Sequence, residues 1–330
     1  MKRIILLLLL VALVAPLATS QTSIKEYTIG MVIYQIDARM WEPQFYADPL
    51  NADLQLLPVP EGKLGSSRGA GRGETTEPDH YLVDIRYATT AGEQLAAIED
   101  LMAKGVVGLV IMPAQDTNQI KSAVATAAAK VPVVLTGRTI PGLNLPFFGV
   151  DMAEMGKAMT LRVPKGPFVV IGNLSDEGYQ KPFIDPLMLM EQFAGFYEAG
   201  SPTGQSEAAQ AINDVAGLMY IVVTNPLYTA GAAEAIKAVT AGTDRLIKLG
   251  SLGAPVGWKD LFNQKLLQGV FSWDAYEVLQ QAAVAVKVKV RDGVDTENYY
   301  PDCLYWTSAT GYSHASYPYT LDPRMNAFFN

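Results

Sequence analysis

The sequence is poor in the residues that make covalent cross-links and metal sites. Cys303 is the single cysteine of the 330-residue chain, and its two histidines are His80 and His314. One thiol excludes an internal disulfide, and without a cysteine pair or a histidine cluster we expect no zinc site, no other metal and no cofactor. Stability must therefore come from packing, for which 49% hydrophobic residues are available.

Runs of basic residues are also absent. The chain has 25 lysines and arginines against 33 acidic residues, a net charge of −8. A polyanion or an anionic membrane surface selects a concentrated positive patch, which this composition does not offer. We therefore expect neither nucleic acid nor a membrane surface as a partner.

Long apolar runs are confined to the start of the chain. Residues 1–20 combine the basic pair Lys2-Arg3, an apolar core over residues 4–14 and a small-residue cleavage site at residues 18–20. This pattern is typical of a cleaved secretory signal peptide, and the core is shorter than the ~20 residues that span a bilayer. No cysteine follows the cleavage site, so we expect a periplasmic, monomeric protein without a lipid anchor.

The rest of the chain alternates short apolar strands with amphipathic helices, which predicts an α/β fold with parallel sheets. In the first half the predicted strands are residues 27–34, 81–87, 106–112 and 132–135, and the helices are 89–104, 117–130 and 152–161. In the second half the strands are 167–172, 218–223, 246–250 and 270–273, and the helices are 182–199, 205–215, 229–240, 258–267 and 275–291.

Polar residues collect where these strands end. The carboxyl edge of an open parallel sheet is where such folds bind ligands, close to helix N-termini. After the first strand, Gln35, Asp37, Arg39 and Trp41 combine an aromatic face with charged hydrogen-bond formers, which suits a small polyhydroxylated ligand. In the alternative interpretation Trp41 anchors the core and Arg39 is a solvated surface charge.

A match to a hydrolase motif lies in the glycine-rich segment 58–80. Residues 65–69 read G-x-S-x-G, but a nucleophile elbow needs a strand before it and a helix after it, and neither is predicted there. Neither histidine lies near a serine at a strand end, so an exported enzyme is the less favoured alternative and we expect no catalytic residue.

The chain resembles the periplasmic sugar-binding receptors of ABC transporters, of the ribose, xylose, rhamnose and autoinducer-2 type that shares its fold with lactose-repressor-like regulators. The resemblance rests on residues 27–34, the pattern Q-x3-I-x2-L-x2-KGV-x-GLVIMPAQD over 94–116, Gly137-Arg138, Asp151 with Gly156, Asn225 before Ala230-Gly231-Ala232, and 268–273. It implies two Rossmann-like lobes joined by three crossings, which close over a ligand and are sensed by a membrane permease. The implied N-terminal lobe is residues 21–150 plus about 273–296, and the C-terminal lobe 151–272 plus about 297–330.

Three positions depart from the pattern of the family. Gly137 precedes Arg138 where the family has an aspartate, Pro226 follows Asn225 where it has Asn-Asp, and Ser251 stands where a further aspartate is expected. Carboxylates accept strong, charge-assisted hydrogen bonds from sugar hydroxyls. Because these three carboxylates are missing, the ligand need not be an ordinary aldopyranose. Arg39 and Arg138 facing an anionic or carbonyl-bearing group is one hypothesis.

The candidate ligand-binding set combines the strand-end residues of both halves with the Trp-Asp pair that resembles the rhamnose and autoinducer-2 branch. It comprises Gln35, Asp37, Arg39, Trp41, Asp116, Arg138, Asn173, Asp176, Asn225, Trp258, Trp273 and Asp274. Trp273 has a hinge or core role as its alternative. The predicted function is capture of a sugar or sugar-like ligand for an ABC permease; signalling to a membrane chemoreceptor or kinase, and binding of a non-sugar molecule, remain alternatives.

Overall fold

The computed structural model describes residues 25–34, 80–114, 117–241, 245–253, 257–273, 275–301 and 304–307. Within these ranges the chain forms two α/β lobes, each built around its own sheet. Across the same ranges, every helix is too short or too polar to cross a lipid bilayer.

The first lobe contains a five-stranded parallel sheet in the order β2-β1-β3-β4-β5. Its strands are β1 Glu26–Tyr34, β2 His80–Ala88, β3 Gly108–Ile111, β4 Val133–Thr136 and β5 Phe147–Phe148. Every residue of β3 and β4 is buried, because helices cover both faces of a parallel sheet. The predicted strands of this half are therefore confirmed, and β5 adds a short edge strand.

Eight helices connect the strands in the described part of the chain. They are α1 Ala91–Ala103, α2 Asn118–Ala128, α3 Met152–Thr160, α4 Gln180–Met188, α5 Gln205–Asp214, α6 Pro226–Thr240, α7 Trp258–Asn263 and α8 Ala275–Asp292. Side-chain caps fix several of their starts: the hydroxyl of Thr90 accepts the N–H of Glu93, and Oδ1 of Asp151 accepts the N–H groups of Ala153 and Glu154. The predicted helices 89–104 and 152–161 are confirmed to within two residues at each end.

The second lobe contains a six-stranded sheet in the order β11-β10-β9-β8-β6-β7. Its strands are β6 Phe168–Gly172, β7 Phe193–Glu198, β8 Tyr220–Val223, β9 Lys248–Leu252, β10 Leu267–Ser272 and β11 Leu304–Thr307. All neighbours are parallel except β11, which runs antiparallel to β10. Part of the tyrosine-rich C-terminal region thus completes the second sheet.

The chain passes between the lobes three times. It leaves the first sheet after β5 and enters the second lobe at α3, and it returns between β10 and α8, which packs on the first sheet. It crosses again between Tyr299, which pairs with Phe148 of β5, and β11. These three connecting segments form a hinge between two separately packed cores.

The predicted helix over residues 182–199 is wrong in its second half. Helix α4 begins earlier, at Gln180, and ends at Met188, and Phe193–Glu198 forms β7 alongside β6. Pro186 removes a backbone donor within the last turn of α4, and the aromatic residues Phe196 and Tyr197 favour the extended conformation. The apolar methionine-rich pattern hid this change because β7 is a half-buried edge strand, and a short apolar run of this kind does not distinguish a strand from a helix.

Candidate ligand-binding site between the lobes

The lobes meet through an ion pair. Arg138 follows β4 of the first lobe, Asp176 follows β6 of the second, and Nη2 of Arg138 lies 2.9 Å from Oδ2 of Asp176. The side chains of Arg138 and Asp176 are 12% and 6% exposed, so most of the pair is shielded from water. A charged pair with this geometry is strong only while its desolvated charges stay together.

Backbone and aromatic contacts surround this pair. The N–H of Thr139 donates to the carbonyl of Gly178, 3.3 Å away, and the guanidinium carbon of Arg138 lies 5.7 Å from the ring centre of Tyr179. Tyr179 in turn meets Trp273 edge to face, with ring centres 6.5 Å apart. Burial raises the pKa of the Tyr179 phenol, which therefore remains a neutral donor.

Trp273 lies at the second crossing of the hinge. It is partly buried and packs against apolar clusters of both lobes, between β10 and α8. A side chain shared by two cores must adjust when the lobes move. This location matches the hinge alternative for Trp273, and its contact with Tyr179 also places it beside the cleft.

The conformation of Gly137 explains why the family's aspartate has no place before Arg138. Gly137 has φ +68°, a conformation that strains residues with a Cβ. A Cβ there would lie 2.7 Å from Cε and 2.9 Å from Cγ of Met112, which fills the adjacent space. The first lobe therefore carries no carboxylate at this turn, and Arg138 pairs instead with the carboxylate of Asp176 in the opposite lobe.

A buried glutamine organises the turn that carries Asp176. Nε2 of Gln180 donates to Oδ2 of Asp176 at 3.2 Å, and its Oε1 accepts the N–H of Asn173 at 3.0 Å and the hydroxyl of Thr224. The amide orientation follows from its partners, since the carboxylate requires a donor and the N–H an acceptor. Gln180 thus joins the ends of β6 and β8 to the residue that crosses the cleft.

A second buried glutamine stabilises the matching edge of the first lobe. Nε2 of Gln94 donates to the carbonyl of Met112 at 2.7 Å, and its Oε1 accepts the N–H of Ala114 at 2.8 Å. Both partners belong to the loop that follows β3. The bonds of both glutamines stay within one lobe, but only Gln180 bonds to a side chain that itself pairs with the opposite lobe, that of Asp176.

Both predicted asparagines are partly committed to local structure. Oδ1 of Asn173 accepts the N–H and hydroxyl of Ser175, and Oδ1 of Asn225 accepts the N–H of Leu227 as the cap of α6. Ser251 is fully buried in β9, where its hydroxyl meets Thr229 and the carbonyl of Gly253. The serine therefore bonds within the second lobe, and it does not replace the expected aspartate as a cleft carboxylate.

Tyr228, in the first turn of α6 beyond the end of β8, is a half-buried residue at the ligand edge of the second sheet that sequence reasoning missed. Burial and the negative charges of Glu207, Asp176 and Glu198 raise the pKa of its phenol, with a further contribution from Tyr34 at the end of β1. Carboxylates dominate the charge around Tyr228 on the second-lobe side.

Glu207 closes the loop between β7 and α5. Its carboxylate accepts the N–H groups of Gly200 and Ser201, at 2.9 and 2.7 Å, and the hydroxyls of Ser201 and Ser206. Burial alone would raise the pKa of this carboxyl, but the hydrogen bonds, led by the Ser201 hydroxyl, outweigh it and lower the pKa to about 2. The pKa is below its ordinary value, so the charged form stabilises the folded state.

Replacing Glu207 with glutamine should lower the free energy of unfolding by about 1 kcal/mol at neutral pH, after allowance for solvent screening. The difference should be complete above the pKa of the unfolded chain, about 4.5, and shrink as the pH falls toward 2. Urea unfolding of both proteins at pH 7 and pH 3 measures it. Glu234→Gln, at an exposed pair with Lys237, is the control and should show no such trend.

The remaining predicted site residues lie outside the described part of the structure. These are Gln35, Asp37, Arg39, Trp41, Asp116 and Asp274. For Trp258 only the backbone position, the first residue of α7, is described. Their assignments as ligand-binding residues stay predictions.

Tyr179 and Gln180 are the other cleft residues that sequence reasoning missed. They follow β6 and open α4, which was predicted to begin two residues later. The signal that identifies them is positional: both stand between a strand end and a helix start, where a parallel sheet exposes its ligand edge.

Comparison with known proteins supports this architecture. No protein-family model matches the sequence, and no curated protein matches it. A sugar-binding protein of a sugar ABC transporter from Bacillus halodurans superposes with a TM-score of 0.67 at 15% identity, covering 86% of this chain and 98% of that one. The fold is that of type I periplasmic binding proteins.

Two further structures have the same architecture. The Caulobacter myo-inositol binding protein, bound to myo-inositol, has a TM-score of 0.65 at 15% identity and covers 88% of this chain and 95% of its own. The fructose-binding periplasmic domain of a hybrid two-component system has a TM-score of 0.61 at 16% identity, with coverages of 86% and 91%. At these identities the type I periplasmic binding fold is what the similarity establishes.

Proposed function

We propose that this type I periplasmic binding protein is an exported receptor that captures a small sugar or sugar-like ligand between its lobes. The observation that carries the proposal is the Arg138–Asp176 pair, which brings hydrogen-bonding side chains of both lobes together beside Tyr179 and Trp273. A polyhydroxylated ligand needs such a combination of polar groups and aromatic faces. The structural neighbours named for sugars support the same class.

The charges of the cleft favour a neutral ligand over an anionic one. Asp176 already balances Arg138, and Glu198 and Glu207 add negative charge around Tyr228. An anion would have to displace one carboxylate and approach others, whereas hydroxyl groups can donate to them. We therefore prefer a polyol or neutral sugar to the anionic ligand that the two arginines first suggested.

Closure of the lobes on the ligand is the proposed mechanism. A ligand that contacts Arg138 on one lobe and Asp176 or Tyr228 on the other binds the closed form better than the open form, and it shifts the equilibrium by that difference. Binding then requires no chemical step, which fits a receptor better than an enzyme. The division into lobes at about residues 150, 272 and 296 belongs to this proposal.

Delivery to an ABC permease is our preferred role for the closed form, with export to the periplasm as a monomer. Signalling to a membrane sensor is the second candidate, favoured by the similarity to the periplasmic fructose-binding domain of a two-component system. A permease and a sensor both recognise closed lobes, so ligand binding is the first property to test.

A thermal-shift screen of the protein without residues 1–20 should identify a stabilising sugar or polyol. The panel contains myo-inositol, pentoses, hexoses, deoxyhexoses, furanones, nucleosides and small organic acids. At 100 times its dissociation constant a ligand adds about 2.7 kcal/mol, which raises the melting temperature by several degrees. We expect neutral polyols to shift the melt and carboxylic acids to leave it unchanged.

Two variants test the residues assigned to binding. Arg138→Ala and Trp41→Ala should each remove the shift given by the best compound of the panel. Unchanged affinity in both would remove the site assignment and leave the fold intact. A panel with no stabilising compound, together with turnover of a chromogenic hydrolase substrate, would overturn the receptor proposal.

A further inference from the structure

We propose that Gln180 is a positioning residue that sets how firmly the two lobes close. The inference rests on the proposed function, because lobe closure is the step that captures the ligand. Among the described residues, the hydrogen bonds of Gln180 all go to the second lobe, so its effect on the first lobe passes through Asp176. In this proposal, Gln180 is the side chain that orients Asp176 toward Arg138.

The first argument is that one oxygen atom carries both contacts. Oδ2 of Asp176 accepts Nε2 of Gln180 at 3.2 Å from within the second lobe and Nη2 of Arg138 at 2.9 Å from the first. The two donors, one from each lobe, therefore hold the same carboxylate oxygen. Loss of the Gln180 donor removes its restraint on the torsion angles that orient Asp176 toward Arg138.

The second argument is that Gln180 is itself immobilised. It is 6% exposed, and its Oε1 accepts the N–H of Asn173 and the hydroxyl of Thr224, at the ends of β6 and β8. A side chain fixed by two strands transmits the rigid geometry of the sheet to the flexible turn that carries Asp176. Precise support of this kind is what holds a binding group in its productive position.

The third argument is the contrast with Gln94, which offers a matched control. Gln94 is also buried and also spans a strand-end loop, but it bonds to backbone groups of Met112 and Ala114, whereas Gln180 bonds to the carboxylate that pairs with Arg138. Substitution of either glutamine with leucine removes a buried amide and costs similar stability. Only substitution of Gln180 should also change how the lobes close.

Gln180→Glu gives the sharpest test, because it makes closure depend on pH. The introduced carboxyl lies beside Asp176 and can donate to it only while protonated; once ionised, it repels Asp176. Arg138 stays cationic, and the phenols of Tyr179 and Tyr228 have raised pKa values and stay neutral. Among the described residues around this position, the introduced carboxyl is therefore the group that we expect to change charge, because burial beside the Asp176 carboxylate raises its pKa above the ordinary ~4.3 of a glutamate.

Small-angle X-ray scattering without any ligand measures the result. The wild type and Gln94→Leu should keep one radius of gyration, about 20 Å for this length, at both pH values. Gln180→Glu should match them near pH 5 and expand by about 1 Å near pH 8, as a hinge opening requires. Gln180→Leu should be expanded at both pH values.

Two results would overturn the inference. One is a Gln180→Glu protein with the wild-type radius at both pH values, and the other is a Gln94→Leu protein that opens as far as Gln180→Leu. If Gln180→Leu fails to fold, the comparison of Gln180→Glu at pH 5 and pH 8 decides the question. The scattering measurement uses no ligand, so its outcome does not depend on the sugar screen. A failed sugar screen would reject the proposed function without deciding the role of Gln180.

Discussion

Asp176→Ala is expected to open the lobes and to weaken binding of the best screening compound at least tenfold. The substitution leaves Arg138 without the carboxylate 2.9 Å away, in a site where it is only 12% exposed. In a sealed core an uncompensated charge costs about 3–5 kcal/mol. Here the lobes can separate, which exposes Arg138 to water and removes part of this cost. We therefore expect the free energy of unfolding to fall by only about 2 kcal/mol, accompanied by opening of the lobes.

A double-mutant cycle separates the pair from its surroundings. Arg138→Ala and Asp176→Ala should together cost less than the sum of the single changes, with a coupling energy of about 1–2 kcal/mol. Asp185→Ala is the matched control, because Asp185 pairs with Lys181 on the exposed face of α4 and should contribute less than about 1 kcal/mol. Additive effects of Arg138 and Asp176, with unchanged scattering, would show that the pair does not hold the lobes together.

The sequence was sufficient to predict most of the scaffold because many of the parallel strands are short and largely apolar. Segments such as GLVI in β3 and VVLT in β4 have the run length and β-branched content of strands covered on both faces. The exception is residues 182–199, where one apolar pattern contains both α4 and β7. A short apolar run gives the same hydropathy signal in a helix and in a half-buried edge strand such as β7, so pairing with β6 decided the outcome.

The candidate site was less predictable because its geometry depends on contacts between distant segments. Arg138 and Asp176 were both proposed as ligand contacts, but their pairing depends on two loops that are 38 residues apart and on different lobes. The missing carboxylate at Gly137 was visible in the sequence, whereas Met112 filling its space was not. Gln180 and Tyr228 carry no motif, and only their positions at strand ends could have drawn attention to them.

Gly156→Ala is expected to destabilise the second lobe by about 3 kcal/mol. Gly156 lies on the buried face of α3, where the helix packs against the backbone of α4. A Cβ at this position would lie 2.4 Å from the carbonyl oxygen of Phe183 and 3.0 Å from its Cα, which real structures do not permit. Because the obstacle is backbone, the helices must move apart, and the loss exceeds the ~1 kcal/mol that alanine gains over glycine within a helix.

Gly92→Ala provides the matched control for this prediction. Gly92 is also helical, in the first turn of α1, but the nearest atom to a Cβ there is the Thr90 hydroxyl oxygen at 4.0 Å. That substitution should be neutral or should stabilise by up to about 1 kcal/mol. Chemical unfolding of the two variants measures the contrast, and equal stabilities would mean that α3 and α4 have room to separate. The position of α4 also sets the end of the turn that carries Asp176, so Gly156→Ala should weaken ligand binding beyond its effect on stability.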